Sequence, residues 1–287
     1  MKLKIGTRKS KLAMAQTFIA VNEITRKFPE IETEIVQITT KGDRVLDKPL
    51  SYFDGKGVFV GEIESALQEG DIDIAVHSAK DLPLSLGNNL KISAVLKRGD
   101  PRDVLITRAD FEYNSQSRLN IGTGSLRRRV SFARLYKNAI FSDIRGNVDT
   151  RLNKLLLGEY DGIILAAAGL ERLGITQGNR YKFEFFGISE FLPAPCQGII
   201  ALECKKDSYA AKIAGEISHK PTQICFEAER FVSVNIGGSC MTPLGAYSEI
   251  VGDTLTMSIS KDPNKIITGS GNINKPTDLA RELISKL

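Results

Sequence analysis

The sequence predicts an α/β protein with two lobes and a small α+β domain at the carboxyl end. Two observations lead to this fold class. Strand-like and helix-like segments alternate through the first two thirds of the chain, and the alternation restarts after residue 98. After about residue 219 the pattern changes to a helix, short strands and a final helix. With 287 residues, 42% of them hydrophobic, the chain can form cores in two or three domains.

The first lobe opens with the strand LKIGTRK and a helix from about Ser10 to Phe28, and Ser10 is a natural helix N-cap. TEIVQITT is predicted to be the next strand. Apolar residues then recur at helical spacing from Phe59 to Leu67, and Gly70 suits the end of that helix. DIDIAVHS has the composition of a buried strand, so the segment follows a strand, helix, strand pattern.

The second lobe repeats this design. RLNIGTGS and DGIILAAAG are predicted strands, and SLRRRVSFARLYK and VDTRLNKLLLGEY are predicted helices. Proline and glycine in residues 99–102 and 192–198 mark these segments as hinge candidates. The predicted domains are therefore residues 1–98 with 197–216, residues 99–196, and residues 217–287.

The positive charge is concentrated in one stretch. The formal net charge is +5, yet from residue 118 to residue 151 seven arginines and one lysine face only two aspartates, a local balance of +6 that leaves −1 elsewhere. Arginine binds carboxylates and phosphates through a planar fork. The cluster therefore fits a site for an anionic small molecule, and equally a solvated face or a nucleic-acid patch.

Other features narrow the class of protein. No apolar run approaches the length of a membrane span and no signal peptide pattern opens the chain, so we expect a cytoplasmic protein that does not bind membranes. The four cysteines form no CxxC pair and there are only two histidines. We therefore expect reduced thiols and no metal site.

The motif VHSAKDLP places Ser78, Lys80 and Asp81 after a buried strand. In open α/β sheets the carboxyl ends of the strands face the ligand crevice. Asp81 is the candidate for proton handling or for stabilising a cation. The same spacing also fits a plain turn residue before Leu-Pro.

The motif GTGSLRRR follows a strand and starts a helix. Helix N-termini attract anions, and the hydroxyls of Thr123 and Ser125 stand beside Arg127 and Arg128. The pattern matches neither the P-loop nor the dinucleotide fingerprint. We interpret it as a candidate carboxylate or phosphate cradle.

Two more junctions carry candidate ligands. Arg145 and Arg151 flank GNVDT, although an ion pair with Asp149 at the helix start would also explain them. The first strand-to-helix junction and the helix that follows it add three polar residues: Arg8, Ser10 and Gln16.

The turn NIGGSCMTPLGA holds Cys240 behind two glycines and a serine. These neighbours favour an exposed turn rather than a core position, so we expect a ligand to reach this sulfur. The polar segment TKGDRVLDKPLSYFDGKGVF is long for a loop, which is typical of a lid or of a plain surface excursion.

Six motifs in this order resemble the porphobilinogen deaminase (hydroxymethylbilane synthase) family: HSAKDLP, GTGSLRR, IRGNVDTRL, AAAGLERL, LPAPCQG and the Gly-Gly-Ser-Cys turn. The resemblance spans nearly the whole chain. It implies two lobes like those of type II periplasmic binding proteins, with the third domain carrying a cofactor. It also implies a monomeric transferase that condenses four porphobilinogen molecules head to tail with release of ammonia, and then hydrolyses off hydroxymethylbilane.

The resemblance assigns roles to residues. It implies a dipyrromethane cofactor joined by a thioether to Cys240, a catalytic Asp81, and a flexible lid that includes Lys56 and Phe59. Cys196 stands where the family usually has glycine. The implied cofactor-binding residues are Ser78, Lys80, Thr123, Ser125, Arg127, Arg128, Arg145, Arg151 and Gln197, and the implied substrate-binding residues are Arg8, Ser10, Gln16 and Arg172.

Two alternatives compete with this hypothesis. A non-enzymatic binding module would close on an organic anion with the same arginines, but it would need neither Asp81 nor an exposed thiol. A nucleic-acid binder would use the basic stretch, where only Phe132 and Tyr136 offer aromatic rings for stacking.

Overall fold

The structure is a computed structural model that describes residues 2–40, 60–175, 179–237 and 242–287. The chain forms two compact units, Met1–Arg98 with Ile199–Phe226 and Gly99–Gly198 with Glu227–Leu287. The chain thus leaves the first unit after Arg98 and returns after Gly198, next to the two predicted hinge segments. The division into three domains stays a prediction.

The described elements, in chain order, are as follows. The part of the first unit before residue 99 contains β1 (Lys2–Arg8), α1 (Lys11–Lys27), β2 (Glu32–Ile38), α2 (Gly61–Glu69), β3 (Ile74–Ser78), a one-turn 3₁₀ helix (Ala79–Asp81) and β4 (Leu90–Val95). There follow β5 (Asp103–Arg108), β6 (Asn120–Gly122), α3 (Leu126–Leu135), β7 (Ile140–Ser142), α4 (Val148–Leu156), β8 (Gly162–Ala166), α5 (Ala167–Arg172) and β9 (Tyr181–Phe185). The rest are β10 (Ile200–Lys205), α6 (Tyr209–Glu216), α7 (Lys220–Ile236), β11 (Gly245–Val251), β12 (Thr254–Asp262), β13 (Lys265–Asn272) and α8 (Pro276–Ile284).

The first unit is built on a sheet with the strand order β2-β1-β3-β10-β4. β1 runs parallel to β2 and β3, while β10 is antiparallel to both of its neighbours. Helix α1 begins where the Ser10 hydroxyl accepts the N–H of Ala13 at 3.2 Å. Helix α2 ends at Gly70, whose φ of +85° is left-handed. Both caps confirm the predicted helix boundaries.

The second unit contains a sheet of the same design, with the order β7-β6-β8-β5-β9. β6 is parallel to β7 and β8, and β5 is antiparallel to β8 and β9. In each unit the antiparallel inner strand follows a crossing point, β5 after Arg98 and β10 after Gly198. The carboxyl ends of three parallel strands therefore share one edge of each sheet with the amino end of an inner antiparallel strand.

A third sheet, β11-β12-β13, is antiparallel and is covered by α8. Helix and sheet approach closely at Gly269, where a Cβ would lie 2.9 Å from Leu283 Cδ2. Leu279 and Leu283 are buried against this sheet. The fold class predicted from the sequence, two α/β lobes and a small α+β domain, is confirmed.

Some elements were not predicted. The sequence did not predict the strands β4, β5, β7, β9, β10 and β11 or the helices α5 and α6. Strand β10 joins the sheet of the first unit although it follows the second lobe in the chain. The predicted start of the second helix at Phe59 lies outside the described residues, and α2 begins at Gly61. In the described ranges, no helix combines the length and the apolar character that crossing a membrane requires.

The core of the second unit depends on Phe132, which has no exposed surface. Its ring stacks on Tyr136 with centroids 4.5 Å apart and meets Phe186 edge-on at 6.0 Å. We expect Phe132→Ala to lower the free energy of unfolding by about 3–5 kcal/mol, since it leaves a cavity and removes aromatic contacts. Chemical denaturation would measure this change.

The control is Leu157→Ala, because the Leu157 side chain is largely exposed. It should change the free energy of unfolding by less than about 0.5 kcal/mol. Equal effects of the two substitutions would contradict the assignment of Phe132 to the core.

Candidate active site

Polar residues of the first unit collect at the edge where β1 and β3 end. β1 ends at Arg8 and its parallel neighbour β3 ends at Ser78. Gln16, buried in α1, donates from Nε2 to the Ser78 hydroxyl at 2.8 Å. The fold therefore brings Gln16 and Ser78 into contact, while the Ser10 hydroxyl caps α1.

Asp81 lies on the one-turn 3₁₀ helix that follows β3. Ala79 and Leu82 are buried, and the Ala79 N–H donates to the Ile199 carbonyl at 3.0 Å, so the turn is anchored. Asp81 and Lys80 are exposed. Within the described parts of the chain, the Asp81 carboxylate has no hydrogen bond or ion pair. The turn thus presents a fixed carboxylate that remains open to a ligand.

In the second unit, the GTGSLRR junction begins helix α3. The Ser125 hydroxyl caps the helix by accepting the Arg128 N–H at 3.5 Å. Thr123 is buried, and its hydroxyl oxygen accepts the Ser125 N–H at 3.2 Å. Both oxygens accept internal bonds, which leaves each O–H able to donate to an anion.

The two arginines of this junction are buried and meet one carboxylate. Arg128 donates from Nε and Nη2 to Asp103 Oδ1 at 3.0 and 2.7 Å, and from Nη1 to the Ile164 carbonyl at 2.8 Å. Arg127 Nη1 lies 2.7 Å from Asp103 Oδ2 and donates to the Leu192 carbonyl at 2.8 Å. Burial lowers the pKa of Arg127, and the charge of Asp103 opposes that effect.

Gln197 completes this cluster. Its Nε2 donates to the Pro101 carbonyl at 2.7 Å and to Asp103 Oδ1 at 3.1 Å, and its side chain is fully buried. Sequence reasoning missed Asp103. A counter-charge could have been predicted on physical grounds, because two adjacent arginines that are buried in a core require a carboxylate.

Arg145 differs from the paired arginines. Its Nη2 is buried and has no hydrogen-bond partner among the described residues. Gly146 turns the chain beside it with a φ of +106°, and a Cβ there would lie 2.8 Å from Thr150. Arg151 Nε donates to the Gly146 carbonyl at 2.8 Å. A buried N–H without an acceptor is costly, so this turn is suited to a carboxylate ligand.

Arg172 lies at the end of α5. Its Nη2 donates to the Gly198 carbonyl at 2.5 Å, next to the point where the chain crosses between units. Burial lowers its pKa to about 10, with a smaller opposing effect of Glu171. An anion near this guanidinium would restore its pKa.

Three predicted site residues, Lys56, Phe59 and Cys240, lie outside the described residues. Helix α7 ends at Ile236, four residues before Cys240. Cys196 is buried at a φ of +61°, and its N–H donates to the Glu229 carboxylate at 2.6 Å. Because Cys196 is buried, the structure offers no support for a second exposed thiol there.

These features define an α/β protein whose strand-end turns present arginines and one open carboxylate, as expected for a protein that acts on an organic anion. The family described as "Porphobilinogen deaminase, dipyromethane cofactor binding domain" matches residues 3–212. Porphobilinogen deaminase of Alkaliphilus metalliredigens is 42% identical over 270 residues, which cover 92% of this chain and 84% of that protein. Porphobilinogen deaminase of Ruminiclostridium josui is 38% identical over 294 residues and covers 100% of this chain and 97% of that protein.

Among solved structures, the periplasmic VFT2 domain of Bordetella pertussis BvgS is 14% identical, with a TM-score of 0.46 over 79% of this chain and 92% of that one.

The chain belongs to the porphobilinogen deaminase family. It is a transferase of tetrapyrrole biosynthesis that condenses four porphobilinogen molecules into hydroxymethylbilane with release of ammonia, and its cofactor is dipyrromethane. The resemblance seen in the six motifs is confirmed. The chain is an enzyme, so the alternative of a non-enzymatic binding module is wrong.

The Asp103 cluster generates a test of stability. Asp103→Asn removes the charge between two buried guanidiniums, so we expect the free energy of unfolding to fall by about 3–5 kcal/mol. Thermal or chemical unfolding measures it.

Asp143→Asn is the matched control, because Asp143 pairs with Arg129 at the surface. Exposed pairs contribute about 0–1 kcal/mol, so its effect should stay in that range. If both substitutions had the smaller effect, Asp103 would not be the counter-charge of the core.

Proposed function

We propose that Asp81 is the catalytic carboxylate of the deamination and that the arginines of the second unit bind the acidic side chains of the pyrroles. The observation that carries the first part is the exposed Asp81 carboxylate, which is anchored by its turn but has no partner in the described part of the chain. An anchored, unpaired carboxylate can hold a cation without first breaking another ion pair.

The substrate chemistry requires such a group. When the protonated aminomethyl group of porphobilinogen leaves as ammonia, the C–N electron pair departs with nitrogen and positive charge develops on the methylene carbon and the pyrrole ring. We propose that Asp81 stabilises that charge. In the condensation, a pyrrole carbon attacks this methylene, and the ring proton that is then lost can be accepted by the same carboxylate.

The acidic side chains of the pyrroles need cations. Each pyrrole unit carries an acetate and a propionate, so negative charge accumulates as the chain grows. Arg145 offers a buried N–H that has no acceptor within the described ranges, and Arg172 has a guanidinium whose charged form is disfavoured by burial. We propose that both bind carboxylates and that Arg151, Lys80 and Arg8 contribute further positive charge.

The cofactor has a corresponding set of residues. When bound, dipyrromethane supplies the pyrrole end to which the first porphobilinogen is joined. We propose that Cys240 holds it through a thioether and that Thr123, Ser125, Arg145 and Arg151 bind its carboxylates. Arg127, Arg128 and Gln197 are fixed around Asp103, so we propose that they contribute the electrostatic field and the rigidity of this cradle.

The remaining substrate and lid assignments complete the proposal. Ser10 and Gln16 are proposed to bind substrate at the first-unit edge, where Ser78 is proposed to bind the cofactor. Lys56 and Phe59 are proposed to belong to a lid. We further propose that the enzyme acts as a monomer in the cytoplasm, without nucleic acid.

Asp81→Asn tests the catalytic carboxylate. The amide keeps the size of the side chain but cannot stabilise a cation, so we expect kcat to fall at least about a hundredfold while the cofactor stays bound. The measurements are turnover of porphobilinogen and the intact mass of the purified protein. Asp71→Asn, in the exposed turn before β3, is the control and should retain normal turnover. Near-normal turnover by Asp81→Asn would disprove the role.

Arg145→Leu tests the anion site. Loss of this guanidinium removes a charge-assisted hydrogen bond, so we expect KM to rise about tenfold or more, or the cofactor to be absent from the intact mass. Arg118→Leu, an exposed position in the same basic stretch, should leave both unchanged. Equal behaviour of the two variants would exclude Arg145 as a ligand.

A further inference from the structure

Three titratable residues, two buried and one half-buried, lie near the Asp81 turn, and none of the site residues discussed above belongs to this group. His77 on β3 is 7% exposed, and Glu203 on β10 has no exposed surface. His77 Nε2 lies 3.0 Å from Glu203 Oε2. Glu64 lies on α2, which packs on these strands, and the charges of Glu203 and His77 both act on its carboxyl group.

The second carboxylate oxygen of Glu203, Oε1, indicates how Glu64 is connected to the His77–Glu203 pair. Glu203 Oε1 is buried and has no hydrogen-bond partner among the described residues if every carboxylate is ionised. Two ionised carboxylates cannot share a hydrogen bond, since neither carries a proton. A proton on Glu64 would turn its carboxyl group into a donor and would satisfy this oxygen.

The surroundings favour that proton. Burial is the largest effect on the pKa of Glu64 and raises it, and the charge of Glu203 and its side-chain hydrogen bond to Glu64 act in the same direction. The N–H of Gly87 and the charge of His77 oppose them, and the net shift is upward. Of the elements packed on α2, β10 and β3 supply the titratable groups that act on Glu64, and β1 supplies none in the described region.

The same residues hold the Asp81 segment at both ends. His77 immediately precedes Ser78, where the segment leaves β3. Glu64 Oε1 accepts the N–H of Gly87 at 3.2 Å, just before β4 begins. Gly87 is tightly fitted, since a Cβ there would lie 3.1 Å from Glu64 Oε2 and 2.9 Å from Gln68 Nε2.

We propose that Glu64 is a positioning residue for the reaction: in its protonated form it donates to Glu203 Oε1, and the chain His77–Glu203–Glu64–Gly87 fixes the segment that carries Asp81. The expected effect on kcat rests on the proposed catalytic role of Asp81. The shared proton itself does not depend on that role.

The network has a defined pH dependence. Because the pKa of Glu64 is raised in the folded protein, its stabilising effect is complete below the ordinary carboxyl pKa and is lost as the pH rises through the raised value. Above that value Glu64 is ionised and can no longer donate to Glu203 Oε1, so the chain of contacts is broken at that point.

The experiment compares Glu64→Gln with Glu64→Leu in the cofactor-loaded enzyme. Glutamine can donate from its amide to Glu203 and accept from Gly87, as protonated glutamate does, whereas leucine can do neither. We expect Glu64→Leu to lower kcat about tenfold with KM changed less than about twofold, and Glu64→Gln to restore most of kcat. Glu69→Gln, on the exposed end of the same helix, is the control.

Two readouts separate this from a merely structural role. The ratio of wild-type kcat to Glu64→Gln kcat should fall by one proton titration as the pH rises above the ordinary carboxyl range. Infrared difference spectra of wild type minus Glu64→Gln should show a protonated carboxyl band below that titration and lose it above. A flat ratio, no such band, or a Glu64→Gln variant as impaired as Glu64→Leu would overturn the proposal.

The infrared spectra also keep the two hypotheses apart. If Asp81→Asn retained turnover while the carboxyl band and its titration were present, the role of Asp81 would fail and the shared proton would stand. If the band were absent while Asp81→Asn abolished turnover, the present inference would fail and the catalytic assignment would stand. Should Glu64→Leu not fold, the band and the Glu64→Gln ratio still decide the question.

Discussion

A buried guanidinium needs a buried counter-charge, and in the second unit Asp103 provides it for two of them. Arg127 and Arg128 are permanently charged and nearly excluded from water, so their burial is tolerated only because this carboxylate contacts both. Two positive charges and one negative charge leave a net charge of +1 at this point. The GTGSLRR junction is therefore positively charged and is held in place by these contacts.

The sheet topology explains why Asp103 reaches these arginines. β5 is antiparallel to β8, and Asp103 at its amino end pairs with Ala166 at the carboxyl end of β8. The carboxylate thus lies at the edge where β6 also ends and α3 begins. In the first unit the same arrangement places Ile200, at the start of β10, opposite Ser78 at the end of β3. In both units the strand that follows a crossing begins at the edge that carries the candidate ligands, and in the second unit it brings a carboxylate there.

The sequence predicted the features whose causes are local. Ser10 caps α1 through a residue three positions away, and Gly70 ends α2 by its own backbone conformation, so both signals could be read from a short window. The six motifs also identified the family and most candidate ligands. Their burial and pairing could not be read this way, because these depend on partners distant in sequence.

Two contacts illustrate this limit. Arg128 is separated from Asp103 by 25 positions, and Glu203 is separated from His77 by 126. Both contacts follow from the placement of β5 and β10 as inner strands. The periodicity of a short apolar run does not predict which strands will be its neighbours in a sheet. The arginines were correctly identified as a charged cluster, but only the fold shows which of them already have a counter-charge.

The presence or absence of a counter-charge determines which arginines are suited to binding an anion. Arg127 and Arg128 share the charge of Asp103, whereas Arg145 has a buried N–H with no acceptor among the described residues. Arg172 donates to a neutral carbonyl, and burial lowers its pKa to about 10. A bound carboxylate would relieve both deficits, because it supplies the missing acceptor and favours the charged guanidinium. Under the proposed function, the bound anion would therefore stabilise the folded protein, and each added pyrrole unit would bring carboxylates to these two arginines.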